Sequence, residues 1–230
     1  MSTDSSSPNI GTFNESSLHL SLKHRYSNDP SQFERPVDGY IVDVQRDDRI
    51  VEIQTRGFGS LRTKLPRLLQ HNSVTLVHPI AHRKTIVKRG EDGSLTRRLS
   101  PKRGSLYDIF DELVYMPTLL DLRGLELDVL LTHEEEIREF VGRRARRRRG
   151  WVVRERRLIE VEYTHTLCSS NDLMKIVGPG LPKLFTTEDL AQTMNSSRKL
   201  AQKAAYCLRL ANAIESVSKI GNAQVYRTCA

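Results

Sequence analysis

Asp38, Asp43, Glu52 and Gln54 are the side chains of this chain whose types and spacing point most directly to chemistry. They fall in and beside two short β-branched runs, Tyr40-Ile41-Val42-Asp43-Val44 and Ile50-Val51-Glu52-Ile53-Gln54-Thr55, separated by a polar stretch containing Asp47 and Asp48. That pattern predicts a β-hairpin. Glu52 and Gln54 share one face of its second strand, because side chains alternate with period two. Carboxylates crowded at one spot repel each other, and a hard divalent cation is the natural way to hold them together. The chemistry such a centre supports is hydrolysis of a phosphodiester.

Which acid joins Glu52 depends on the hairpin register, which the sequence leaves open. A two-residue loop at Asp47 and Asp48 puts Asp43 opposite Glu52, whereas an odd loop puts Asp38 on the face of Glu52 and Gln54. A third acid, Glu15, stands at the head of an apolar stripe, Leu18, Leu22 and Tyr26, at helical spacing. The predicted helix starts with Asn14 as N-cap and ends near Tyr26.

An acid on a first helix, Pro-x-Asp, a strand, a turn and Glu-x-Gln together resemble the PD-(D/E)XK nuclease superfamily. The closest likeness is to its restriction-endonuclease-like and Holliday-junction-resolvase-like members, over residues 13–81. The resemblance implies Asp38 and Glu52 as ligands of Mg2+ (or Mn2+), joined by the backbone carbonyl of Ile53, with Glu15 ligating directly, through water, or at a second ion. It also implies that Gln54 stands where the family usually carries Lys. An amide orients water but brings no charge, so the expected endonuclease is slower or more metal-dependent. A homodimer is an expectation from the same resemblance.

The elements needed to position these groups are legible along the chain. After the hairpin come a Gly-containing loop (residues 56–60), a short helix interrupted by Pro66, and a buried strand at 74–80. Helix, hairpin, helix, strand is the order of an α/β core with a parallel crossover. A second hairpin is predicted from residues 84–88 and 95–99, and a helix over 105–116 with Ser105 as N-cap. Two long strands follow at 125–140 and 151–165. They are joined by Arg143-Arg144-Ala145-Arg146-Arg147-Arg148-Arg149, an arm suited to phosphates and narrow minor grooves. The expected fold class is α/β (α+β overall): a mixed sheet with flanking helices, a long basic hairpin at about 125–165, and a C-terminal unit.

Residues 168–230 form that unit. Helical segments at 169–177, 185–194 and 197–213 and a final hairpin with a Gly221-Asn222 turn resemble a winged helix-turn-helix domain. Ser197, Arg198, Lys199, Gln202 and Lys203 then lie where a recognition helix meets the major groove. Arg56, Arg62 and Lys64 follow the acids closely and are candidates for holding phosphates beside them.

Composition agrees with a polyanionic partner without specifying one: the net charge is +8 and the pI about 9.6. Cys168, Cys207 and Cys229 lack metal-ligand spacing and are expected as reduced cytoplasmic thiols. Residues 1–12 are Ser-rich with no basic n-region, and no apolar run approaches the roughly 20 residues of a membrane span. The expected domains are a disordered tail (1–12), a nuclease-like domain (13–167) and the winged unit (168–230). The expected function is metal-dependent cleavage of duplex or branched DNA. Two alternatives are an inactive regulatory or architectural DNA-binding protein and an RNA-binding factor.

Overall fold

The computed structural model describes residues 16–142 and 150–229. A mixed sheet runs through the N-terminal two thirds. Its strands are β1 (Phe33–Val37), β2 (Tyr40–Arg46), β3 (Arg49–Ile53), β4 (Ser73–Arg89), β5 (Leu95–Leu99), β6 (Leu125–Phe140) and β7 (Trp151–Leu167). The spatial order is β1-β2-β3-β4-β6-β7, with β5 added to β4. β3 pairs parallel with β4, as the crossover predicts, and β4 is also parallel to β6. The two segments expected separately at 74–80 and 84–88 belong to one 17-residue strand, bent by a register shift between Ala81 and Arg83.

Both faces of the sheet are covered, because adjacent apolar residues on the central strands point to opposite sides. Ile50, Leu76 and Val129 enter a large cluster with Leu65, Leu68, Phe110 and Leu208. Their neighbours Val51, Val77 and Leu130 enter a second cluster with Leu18 and Leu22. Those leucines belong to α1 (Ser17–Tyr26), whose N-cap Ser16 accepts from the His19 backbone N–H. Ser16 takes the capping role expected of Asn14; Asn14, Glu15 and the tail lie outside the described residues.

The helices of the larger cluster are short. α2 (Lys64–Leu68) begins just ahead of Pro66, which falls in its first turn, where the missing N–H is tolerated. The stretch predicted as one helix over 105–116 is a 3-10 turn at Leu106–Ile109 leading into α3 (Phe110–Leu113), entered through a Ser105–Asp108 capping box. Beyond β7 come α4 (Ser170–Val177), α5 (Thr187–Thr193), α6 (Arg198–Leu210) and the hairpin β8 (Ile214–Ile220)–β9 (Ala223–Thr228). α6 buries Ala201, Ala204, Ala205, Cys207 and Leu208 against the same cluster. The molecule is thus α+β, with a mixed sheet and flanking helices. Among the described residues no helix is long and apolar enough to cross a membrane.

Candidate functional site

The register left open by the sequence is the one with a two-residue loop. Val44 faces Val51, Gln45 faces Ile50 and Arg46 faces Arg49, which makes Asp47 and Asp48 the turn and brings Asp43 level with Glu52. Ladder pairing stops at Val44 and Val51, so the strands splay there. Into that opening the Asp43 carboxylate accepts from the Ile53 backbone N–H at 2.7 Å.

Asp38 is elsewhere. It forms with Gly39 the tight turn between β1 and β2, at φ 49° and 82°, and is exposed. Asp-Gly is the pair that a hairpin turn with two left-handed residues favours. Asp38 is therefore a turn-former at the far end of β2, and the acid facing Glu52 is Asp43.

Glu52 is buried, and its Oε1 accepts from Lys64 Nζ at 2.5 Å. Its other oxygen, Oε2, is buried and has no hydrogen-bond partner. Burial, and then the Asp43 carboxylate, push the Glu52 carboxyl above the ordinary carboxylate range, while Lys64 and the Asp43 backbone N–H pull it back part of the way. Asp43 behaves oppositely. Burial alone would raise it, but His19, the Ile53 N–H and Lys23 together hold it below its usual value. The two acids are thus unequal: Asp43 carries its charge readily, whereas Glu52 calls for a cation on its free oxygen.

Two residues of α1 complete the surroundings. His19 Nε2 lies 3.3 Å from both Asp43 Oδ2 and the Ile53 carbonyl oxygen. Lys23, only 1% exposed, pairs with Glu34 at 2.8 Å and stands 4.0 Å from Asp43 Oδ1. Sequence reasoning missed both. Their signal is their four-residue spacing, which puts 19 and 23 on one side of a helix. Glu15 itself lies outside the described residues.

The residues expected around the acids have other partners than predicted. Lys64, anticipated as a phosphate contact, instead bonds Glu52 and the Ile41 carbonyl. The Gln54 amide donates to the Arg56 carbonyl at 2.6 Å and so braces the following loop. Glu112 accepts from the Gly57 and Phe58 N–H groups on the same loop. Arg62 donates twice to the Tyr115 carbonyl, while Arg56 is exposed. His78 Nδ1 lies 2.7 Å from the Gln54 carbonyl oxygen and ties the end of β3 to β4.

The wider basic surface is divided. Arg143 to Arg149 lie outside the described residues. Trp151 packs against Phe140 and receives Lys88 on its ring face, 4.4 Å from the centroid, so it belongs to the packing between β6, β7 and β4. On α6, Ser197 is the N-cap, Lys203 pairs with Asp111 of α3 at 2.7 Å, and Arg198, Lys199 and Gln202 are exposed.

The donor set of Asp43, Glu52 and the Ile53 carbonyl fits a hard divalent cation. The observation that carries the fit is the buried, unpartnered Oε2 of Glu52. A second cluster, His133, Glu160 and Glu162, has ligand atoms within 4.8 Å of one another. There both ring nitrogens of His133 are engaged, by Arg83 and Thr85, and Arg83 also pairs with Glu162 at 2.9 Å. That cluster is an internal ion-pair network.

Against known proteins, the sequence model of a family described as a domain of unknown function (DUF8091) matches residues 16–168. An uncharacterized protein of Treponema pallidum (strain Nichols) is 34% identical over 221 residues, covering 95% of this chain and 87% of the relative. No solved structure matches.

Proposed function

The chain belongs to the family of the domain of unknown function DUF8091, and from its site we propose a metal-dependent phosphodiesterase that cleaves DNA, built on a restriction-endonuclease-like core. The observation that carries the reading is the meeting of Asp43, Glu52 and Lys64 at the splayed mouth of one hairpin. It supports a PD-(D/E)XK arrangement in which the positive charge absent at Gln54 comes from α2. Asp43, Glu52 and the Ile53 carbonyl would hold Mg2+ or Mn2+, which when bound supplies a Lewis acid and an activated water.

The chain's own groups have distinct tasks. Asp43 is kept ionised by His19, Lys23 and a backbone N–H, ready to bind or orient without losing a proton first. With Glu52 engaged by a cation, the Lys64 ammonium would be available to donate to a phosphate oxygen where negative charge grows. Gln54 keeps the 55–60 loop in place beside it. The exposed N-terminal half of α6 and the arm that joins β6 to β7 hold the duplex, with α4 to β9 read as a winged helix. Lys203, tied to Asp111, docks that unit on the core.

A second reading rests on one observation. The Gln54 amide and the closed Lys64–Glu52 pair are already satisfied internally, as expected of a DNA-binding protein on a retired site. Incubation with labelled linear, nicked and four-way-junction DNA, in magnesium, manganese or chelator, separates the two. The phosphodiesterase yields metal-dependent products that vanish in Glu52→Ala. Salt-sensitive binding without cleavage on every substrate would leave only the second reading.

A further inference from the structure

β4 offers one edge to two partners: β3 pairs with Ser73–Val77 and β5 with Thr85–Arg89. The edge between them is covered by a strap, residues 100–104. Ser100 N–H donates to the Lys84 carbonyl at 2.8 Å, Gly104 N–H to the Ala81 carbonyl at 3.0 Å, and His82 Nδ1 lies 2.9 Å from the Gly104 carbonyl oxygen. A Cβ on Gly104 would lie 2.6 Å from an Ile80 methyl and 2.9 Å from the Ala81 oxygen, so only glycine lets the strap lie this close. The strap is therefore anchored at both ends.

Between the strap and the strands lies a cleft of about 290 Å³, into which Lys84, Lys102 and Arg138 converge. Lys84 and Arg138 share a single carboxylate, Glu136, one on each oxygen, at 3.1 and 2.5 Å. Two cations on one anion leave a positive balance. Lys102 adds another charge and has no ion-pair partner among the described residues. Asp108, the one acid lining the cleft among the described residues, is turned to Ser105 in the capping box. Ser100 also lines the cleft; its hydroxyl accepts from the Lys102 N–H and keeps its own proton to donate.

We propose that this cleft binds a backbone phosphate of the nucleic acid, at a distance from the scissile position. The inference rests on the reading of the Asp43–Glu52 site as the cleavage centre. The volume suits about one nucleotide unit and falls just short of the usual range for whole small-molecule ligands. The surroundings favour a polymer: of the eight basic side chains in residues 83–103, Arg83, Lys84, Arg89 and Arg97 pair with glutamates of β6 and β7, and Lys88, Arg98, Lys102 and Arg103 are left without an ion-pair partner among the described residues. Val77, the register partner of Ile53, and Lys84 are seven residues apart on one strand. That separation is roughly 20 Å, or about six base pairs of duplex at about 3.4 Å each. A duplex centred on the cleavage site reaches the cleft only when its flank is at least that long.

The test is equilibrium binding in chelator, which needs no catalysis, with duplexes of graded flank length and with inorganic phosphate as competitor. Lys102→Gln is the first variant, because Lys102 is exposed and holds no structural contact through its ammonium. Lys84→Gln is the second, with melting temperature as a check on folding. Each variant should weaken binding of long-flank duplexes and lower the salt slope by about one, and leave duplexes with flanks under about six base pairs unchanged. Equal loss at every length, no loss, or tight binding of inorganic phosphate that duplex does not displace overturns the proposal. These outcomes are separate from the cleavage reading. Failure of Glu52→Ala to abolish products removes that reading without altering the binding series, and a flat binding series leaves the metal-dependent products as they are.

Discussion

Asp43→Asn should lower metal-dependent cleavage by about 10³-fold or more, the scale of the roughly 4 kcal/mol a misplaced catalytic cation removes from the transition state. Asp38→Asn should leave it within about twofold, because an exposed turn residue away from the chemistry perturbs little. The contrast follows from the register. Asp43 is level with Glu52 and anchored by the Ile53 N–H, whereas Asp38 sits in the β1–β2 turn. Asn at position 43 still fits the space and can accept the same N–H, so the fold survives. What it loses is the charge. Single-turnover cleavage of one labelled substrate, compared across the two variants, decides the point; equal losses would put the acid pair elsewhere.

Lys64→Met should produce the second largest effect, a loss of about 10²- to 10³-fold in cleavage, typical of removing one charged donor aimed at developing negative charge. It also has a signature in stability. Without Lys64 the buried Glu52 keeps its facing Asp43 and its unpartnered oxygen but no counter-charge. The Glu52 carboxyl is already held above the ordinary range, so the folded state keeps this proton more firmly than the unfolded chain does. Its contribution is therefore complete below the ordinary glutamate value and is lost as pH rises through the raised one. The variant should steepen that loss in chelator, and bound metal should reverse it. Melting curves across the acid to neutral range, with and without manganese, read this directly. A variant whose pH dependence matches the parent shows that Lys64 does not govern Glu52.

Much of the architecture is legible in the sequence because alternation and β-branching are local signals. Strand β6 begins and ends where its alternating apolar and charged residues do, and the β3–β4 crossover follows from strand, loop, helix, strand. The chemistry is harder to read, since it depends on which turn closes first. Asp38-Gly39 carries the strongest short hairpin signal in the region, and that signal removes Asp38 from the site. Asp47, also at positive φ, closes the second turn and so selects Asp43. A one-residue slip would have reversed the assignment, which is why pattern alone left it open. Lys64, His19 and Lys23 reach the acids only through tertiary packing of α2 and α1, for which local sequence holds only the four-residue spacing of the last two.

Cation binding between Asp43 and Glu52 is measured by a manganese titration followed by the loss of the free-ion electron paramagnetic resonance signal. It is run on the parent chain, Asp43→Asn, Glu52→Gln and Asp38→Asn. Binding is expected in the parent and in Asp38→Asn, and at least about tenfold weaker binding in the other two, since ligand-shell changes of this kind move metal affinity by about that factor or more. Binding that persists unchanged in both Asp43→Asn and Glu52→Gln would show that these two carboxylates hold no cation.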